Sequence, residues 1–292
     1  MIYRSLDRFT APAVRHAELW RSALGAGAIA VIYLGGTWIA LFAVAQMTTP
    51  MQFVSILRQI GAGNTPAGLA MLLASFIPMA LGVAFVTRGL HQRALGSLLG
   101  AQVLRDFRKV LIPLAALWLA LLPLALLNPD VGRSTPLPTV LTWLPLVLPL
   151  LVLQIGAEEL VFRGYLLQQL GARFHHPLIW MGLPSVLFGA LHYNPADFGA
   201  NAIWPALWAG LFGCLAADLT ARSGNLGAAL AFHLATNFSG MVLVGLYGSL
   251  DGLALYTLVI NPRDGAELAP YLAADFLSML VSWLIARLVL RL

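Results

Sequence analysis

The stretch from Gln154 to Tyr165, QIGAEELVFRGY, places three ionisable side chains inside a long apolar run. Charged groups are costly to bury in hydrocarbon and often mark a functional site there. Glu159 and Arg163 are spaced i, i+4 with the glutamate first, the favourable order for an ion pair on a helix. Glu158 projects about 100° away from Glu159. We therefore expect Glu159 to hold Arg163 and Glu158 to face a polar chamber. The alternative is an interfacial pair that merely ends a span.

Two histidines and an asparagine recur at comparable depth in the apolar segments that follow. Glu158 lies 16 residues before the predicted turn at 174–175, and His192 lies 17 residues after it. In an antiparallel helical hairpin these two positions are level. His233 follows the next cytoplasmic turn, and Asn237 lies one helical turn further on the same face. We predict that these four side chains line one chamber inside the membrane.

Other polar residues of the apolar segments fit structural roles. Asp218 lies four residues before Arg222, a spacing that favours a pair at a helix end. We expect Asp275, near the start of the last segment, to reach the outer interface. His175 and His176 fall in a predicted loop and are expected to be solvated.

The composition predicts a membrane protein. Of 292 residues, 60% are hydrophobic and 10% are charged, whereas soluble domains have about 25% charged residues. The fold class expected is all-α, a polytopic membrane bundle of about eight transmembrane helices with a buried polar chamber. The net charge of +5 is spread singly between apolar segments, so nucleic acid is not an expected partner. The predicted spans are 24–46, 67–87, 110–127, 138–160, 177–193, 200–221, 225–247 and 270–290.

The distribution of basic residues predicts the orientation. Fourteen Lys and Arg residues fall on one side of these spans, and only Arg58, Arg133 and Arg263 fall on the other. Basic loops stay in the cytoplasm, so both termini are expected there, most simply in a bacterial inner membrane. The predicted organisation is three N-terminal helices over 1–137, a catalytic core over 138–250, and an outer loop with the last helix over 251–292.

Three short motifs carry a resemblance to a known family. EELVFR (158–163), FGALH (188–192) and HLATN (233–237) match, in order, Glu-Glu-x3-Arg, Phe-x3-His and His-x3-Asn/Asp. This pattern resembles the CPBP family of CAAX-protease and bacteriocin-processing intramembrane endopeptidases, which includes the eukaryotic type 2 CAAX prenyl protease. The resemblance covers about residues 140–250, and the last position is Asn, as in the prenyl protease branch.

The resemblance implies an intramembrane endopeptidase that acts near the C-terminus of a membrane-associated or prenylated protein. It implies that Glu158 and His192 activate a water, and that His233 and Asn237 donate hydrogen bonds to the oxyanion. Glu159 and Arg163 would support this arrangement, and Arg163 could also steer the substrate. These residue types suit general base catalysis and oxyanion stabilisation. The expected partners are the lipid bilayer and the peptide or prenylated substrate, and the oligomeric state stays open.

Two alternatives remain at this point. A glutamate and two histidines can also bind zinc, which would make Glu158, His192 and His233 metal ligands. A metal-free glutamate mechanism is favoured, because the HExxH spacing is absent and Asn237 suits an oxyanion role. The second alternative is a protein that is not a protease, either a transporter with a proton relay or a binding or immunity scaffold.

Overall fold

A computed structural model describes residues 3–292 of the chain, which form thirteen α-helices, six short 3-10 or π-helical segments and one small sheet. The helices are α1 Leu6–Thr10, α2 Leu19–Gln46, α3 Pro50–Ala62, α4 Pro66–Ala74, α5 Ile77–Gly89, α6 Val103–Ala125, α7 Leu137–Glu159, α8 Leu167–Gly171, α9 Leu183–Ala190, α10 Pro195–Phe198, α11 Ile203–Ser223, α12 Gly227–Phe238 and α13 Gly265–Leu290.

Six helical segments are long and apolar enough to cross a membrane: Leu19–Gln46, Pro66–Gly89, Val103–Ala125, Leu137–Gly171, Pro195–Ser223 and Gly265–Leu290. The predicted polytopic helical bundle is therefore confirmed. The fifth and seventh predicted spans are shorter helices, Leu178–Ala190 and Gly227–Leu243, of 10–17 residues. At about 1.5 Å per residue they fall short of a hydrocarbon core of about 30 Å, so the number eight is not confirmed.

The helix that carries the two glutamates continues well beyond its predicted end. α7 passes through a π-helical turn, Leu160–Leu166, into α8, giving one helix of 35 residues. The predicted fourth span ends at residue 160 and leaves Arg163 among the basic residues of the connection that follows, which the structure contradicts. Arg163 lies inside the helix and is only 2% exposed. In the sequence, the charge of Arg163 suggests the end of a span. In the structure, the buried carboxylate of Glu159 neutralises that charge.

Helix α12 lies at the centre of the bundle and packs against α6, α7, α11 and α13. A large apolar cluster fills the space around it, with Phe212 stacked on Phe232 at 4.7 Å between ring centroids. Glycines bring α9 close to α11. A Cβ atom at Gly189 would lie 2.6 Å from the Ala206 carbonyl oxygen. This close approach fixes the helix that leads to His192.

A three-stranded sheet adds to the helical fold on one side of the bundle. The strands are β1 Val131–Arg133, β2 Val244–Leu246 and β3 Tyr256–Leu258; β3 pairs antiparallel with β1 and parallel with β2. The predicted seventh span ran to residue 247 and included β2, whose apolar residues resemble a helix end. The loop between β2 and β3 folds back over the helices, and the Leu250 N–H donates to the Ala62 carbonyl oxygen at 2.7 Å.

Two aspartates and two loop histidines lie outside the three motifs. Asp218 accepts from Arg222 at 2.7 Å, as predicted, and also from the Trp283 indole at 3.1 Å. It therefore ties α11 to the last helix. Asp275 is exposed on α13, and both loop histidines are exposed.

Candidate active site

A cavity of about 260 Å³ lies between the helices that carry the three motifs. Its polar lining includes Glu158, His192, His233 and Asn237, the four residues predicted to share a chamber. They come from α7, the turn after α9, and α12. The apolar lining is Leu72, Leu73, Phe76, Phe188, Trp208, Phe212, Met241 and Leu250. Four groups able to exchange protons or donate hydrogen bonds thus meet in an otherwise apolar space.

His233 connects the two glutamates. Its Nδ1 lies 2.8 Å from Glu159 Oε1, and its Nε2 lies 3.6 Å from Glu158 Oε2. A carboxylate only accepts hydrogen bonds, so Nδ1 carries the proton and donates to Glu159. The contact with Glu158 is too long for a hydrogen bond, and Glu158 Oε2 has no hydrogen-bond partner among residues 3–292. Buried unpaired polar atoms are rare and call for an explanation such as a catalytic role.

Glu159 and Arg163 form the predicted ion pair, with Nη1 3.1 Å from Oε1. Both side chains are almost fully buried, and neither lines the cavity. The guanidinium lies 4.6 Å from the centroid of the Phe188 ring and 5.6 Å from that of Phe212, an arrangement that favours cation–π attraction. The pair therefore lies behind the cavity wall, where Glu159 accepts the hydrogen bond from His233 Nδ1.

His192 occupies the exposed turn that follows α9. Its Nδ1 lies 2.8 Å from the carbonyl oxygen of Phe188, one helical turn earlier. A carbonyl oxygen only accepts, so Nδ1 carries the proton, and in the neutral ring Nε2 keeps a free lone pair. A histidine held in this tautomer can accept a proton from water on its Nε2 side.

The cavity has one further polar residue, Gln154, which was not predicted from the sequence. Gln154 lines it and is only 6% exposed. Its Oε1 accepts a hydrogen bond from Asn237 Nδ2 at 3.4 Å. The signal was available, because Gln154 precedes Glu158 by four residues and so shares its helix face. The amide carries no charge, so it stands out less in the sequence than the glutamates of the same stretch.

The sequence leaves open a zinc site formed by Glu158, His192 and His233. Within residues 3–292 no three His, Cys, Asp or Glu side chains are grouped so that they could share a metal ion. Glu158, His192 and His233 line one cavity but do not form such a group. The chemistry is therefore derived from the side chains alone.

Comparison with known proteins agrees with the motifs. Residues 140–239 match the family described as type II CAAX prenyl endopeptidase Rce1-like. A stretch of 127 residues is 28% identical to YyaK of Bacillus subtilis (strain 168), a protein described as uncharacterized. That match spans 38% of this chain and 42% of YyaK, so the chain aligns with less than half of this relative. No solved structure matches. The predicted resemblance to the CAAX-protease family is thereby confirmed for residues 140–239, and the six long apolar helices fit a chain that crosses a membrane several times.

Proposed function

We propose that the chain is an intramembrane endopeptidase that hydrolyses a peptide bond near the C-terminus of a membrane-associated substrate, for which a prenylated CAAX-type protein is the model. The observation that carries the proposal is the meeting of Glu158, His192, His233 and Asn237 in one cavity. Peptide hydrolysis needs a base for the attacking water and donors for the oxyanion. These residues can supply both.

In this mechanism Glu158 and His192 activate the water. Glu158 Oε2 accepts one proton while the water oxygen attacks the carbonyl carbon, and His192 Nε2 orients the water from the other side. The proton then passes to the amide nitrogen as the C–N bond breaks, which yields a carboxylic acid and an amine. The oxygen Oε2 of Glu158 accepts no hydrogen bond within residues 3–292, which leaves it able to accept one from the attacking water.

His233 and Asn237 stabilise the tetrahedral oxyanion. With both ring nitrogens protonated, His233 donates from Nδ1 to Glu159 and from Nε2 into the cavity. In that form the charges of Glu158, Glu159, Arg163 and His233 sum to zero, which makes a buried cluster of four ionised groups affordable. Asn237 adds a neutral donor through Nδ2.

The substrate and the orientation belong to the same proposal. The apolar lining of the cavity suits a peptide segment with apolar residues beside the scissile bond. Because Arg163 lies inside a helix, it belongs to neither side. Thirteen of the other basic residues lie on one side of the bundle and three on the other. We place both termini on the cytoplasmic side on this ground, with a bacterial inner membrane as the proposed location.

The test is cleavage of a quenched farnesylated C-terminal peptide by purified protein in detergent. Wild type is compared with Glu158→Gln, His233→Ala and the exposed carboxylate control Asp275→Asn, each with and without a zinc chelator. We expect cleavage that the first two substitutions reduce at least about 100-fold and that the control and the chelator leave unchanged. Loss of cleavage with the chelator would restore the zinc alternative. Equal turnover in Glu158→Gln and wild type would overturn the proposed mechanism.

A further inference from the structure

Leu250 has a backbone conformation that is unusual for its side chain. Its φ angle is 57°, in the left-handed region, where the Cβ atom of an L-residue crowds a neighbouring carbonyl oxygen. Among residues 3–292, the other non-glycine residues with a positive φ are Gln92, Gln102 and Arg291. Leu250 is the apolar member of this set and the one that lines the active-site cavity. Strained residues cluster at active sites and ligand clamps, so this position calls for an explanation.

The backbone around Leu250 is fixed from both sides. The Leu250 N–H donates to the Ala62 carbonyl oxygen at 2.7 Å, and the Gly252 N–H donates to the Gly63 carbonyl oxygen at 2.9 Å. At Gly252 a Cβ atom would collide with the main chain of Thr65, so the two backbones are as close as they can be. The loop between β2 and β3 is thereby held against the end of α3 and the turn that follows it.

The side chain of Leu250 forms part of the apolar wall of the cavity. A Cβ atom at Gly63 would lie 2.9 Å from Leu250 Cδ2 and 3.5 Å from Leu72 Cδ2. The two leucines are therefore neighbours, and Phe76 and Met241 belong to the same apolar lining. Because its loop is bonded to α3, Leu250 covers the cavity at this point with a side chain whose backbone cannot shift freely.

A glycine is the default residue for a backbone of this kind, because it has no Cβ atom to crowd the chain. A glycine at position 250 would also enlarge the cavity by the whole leucine side chain. The sequence instead carries a large apolar residue there, against the preference of the backbone. The physical effect of that choice is a smaller chamber with a fixed wall, which limits the size of the group that can bind.

We propose that Leu250 determines substrate specificity by limiting the size of the apolar side chain that the substrate places beside its scissile bond. The inference rests on the proposed function for the reaction itself. The class that fits is a medium-sized aliphatic side chain such as that of valine or leucine, because the wall beside Leu250 is apolar. An aromatic side chain would need the space that the leucine fills.

The test is cleavage of quenched farnesylated peptides that carry either Val or Phe at the positions next to the scissile bond. The values of kcat/KM are compared for wild type, Leu250→Ala and Leu250→Gly. A single methylene in an apolar pocket changes discrimination about 10- to 200-fold. We therefore expect the Phe-to-Val ratio of kcat/KM to rise at least about 10-fold in both variants.

The matched control is Leu253→Ala, in the same loop. Leu253 is fully buried but does not line the cavity, so this variant should keep the Phe-to-Val ratio of wild type. An unchanged ratio in both Leu250 variants would overturn the inference. An equal rise in Leu253→Ala would also overturn it, because the effect would then come from a general loosening of the loop.

Thermal stability tests the fixed backbone independently of catalysis. Leu250→Ala and Leu250→Gly both remove the side chain, but only glycine adopts this φ without crowding. Glycine usually lowers stability relative to alanine, whereas at a positive φ the order reverses. We expect Leu250→Gly to melt about 2–4 °C above Leu250→Ala. The opposite order would contradict the left-handed conformation on which the fixed wall depends.

Peptide binding separates this inference from the proposed function. Fluorescence anisotropy gives the Kd of the Val and Phe peptides for Glu158→Gln, with and without the added Leu250→Ala. Suppose that wild type cleaves no peptide but Leu250→Ala still shifts the ratio of the two Kd values at least about 10-fold. That result would contradict the proposed function and support the size limit. Cleavage by wild type with the same Phe-to-Val ratio in every variant would do the opposite.

Discussion

The buried pair of Glu159 and Arg163 offers the sharpest test of how this chain tolerates charge inside the membrane. Removing one member of a buried pair strands the other and costs about 3–5 kcal/mol. The two single substitutions should differ. After Arg163→Met, Glu159 keeps the proton donor His233 Nδ1 at 2.8 Å. After Glu159→Gln, the guanidinium keeps only the amide oxygen and the aromatic faces, because its Nη2 already has no hydrogen-bond partner.

We therefore expect Glu159→Gln to cost about 4–5 kcal/mol of unfolding free energy and Arg163→Met about 3 kcal/mol. The double variant removes both charges and leaves an amide oxygen that still accepts from His233. Its cost should fall to about 1–2 kcal/mol, because replacing a whole buried pair is far milder than breaking it. This non-additivity is the signature of a coupled pair.

These free energies are measured by unfolding the protein in mixed micelles with increasing amounts of a denaturing detergent. Tryptophan fluorescence monitors the transition. The control is Glu18→Gln, which breaks the partly exposed pair with Arg21 and should leave the unfolding free energy almost unchanged. The reasoning is refuted if either single variant costs less than about 1 kcal/mol, or if the double variant costs the sum of the two single ones.

Three further predictions concern other parts of the chain. Burial lowers the pKa of His91 to about 4, below the value of about 6.5 in the unfolded chain. Thermal stability should therefore be full above about pH 6.5 and fall as the pH drops toward 4. The substitution His91→Gln should flatten this dependence. Gln154→Met should lower kcat about 10-fold with little change in KM, because Asn237 loses the acceptor that orients it. Gly189→Ala should cost about 1–3 kcal/mol and lower kcat, because the added Cβ pushes α9 and the attached His192 away from α11.

Matched substitutions make each of these results interpretable. His176→Gln changes an exposed histidine and should leave the pH dependence of the melting temperature as it is. Gln169→Met removes a buried glutamine remote from the cavity, so a kcat loss equal to that of Gln154→Met would point to a general packing effect. Gly35→Ala adds a Cβ that meets nothing within 4 Å, and an equal loss of stability there would contradict the close-approach argument for Gly189.

The depth of the candidate site could be predicted from sequence because helix geometry is regular. A constant rise per residue makes Glu158 and His192 level on either side of one turn, and the two line the same cavity. The i, i+4 rule likewise gave the Glu159–Arg163 pair. The contact of His233 with Glu159 could not be predicted in this way, since it depends on the rotation of α12 about its own axis.

Other features lie outside what a hydropathy pattern records. The π-helical turn after Glu159 depends on how each carbonyl finds a donor in the packed bundle, which no local residue pattern specifies. The apolar residues of β2 have the hydropathy of a helix end, so the predicted seventh span extends too far at its C-terminal end. The sequence shows the charge of Arg163 but not the groups that neutralise it, so it predicts a loop at this position.

The wall of the cavity has two origins along the chain, and this has an evolutionary consequence. The four polar groups lie within residues 140–239, the segment shared with the type II CAAX prenyl endopeptidase family. Leu72, Leu73 and Phe76 on one side, and Leu250 above them, come from outside that segment. Mutation can therefore reshape the chamber while leaving the four polar groups untouched. Under the proposed protease function, relatives that keep all three motifs are free to diverge in the peptides that they cleave.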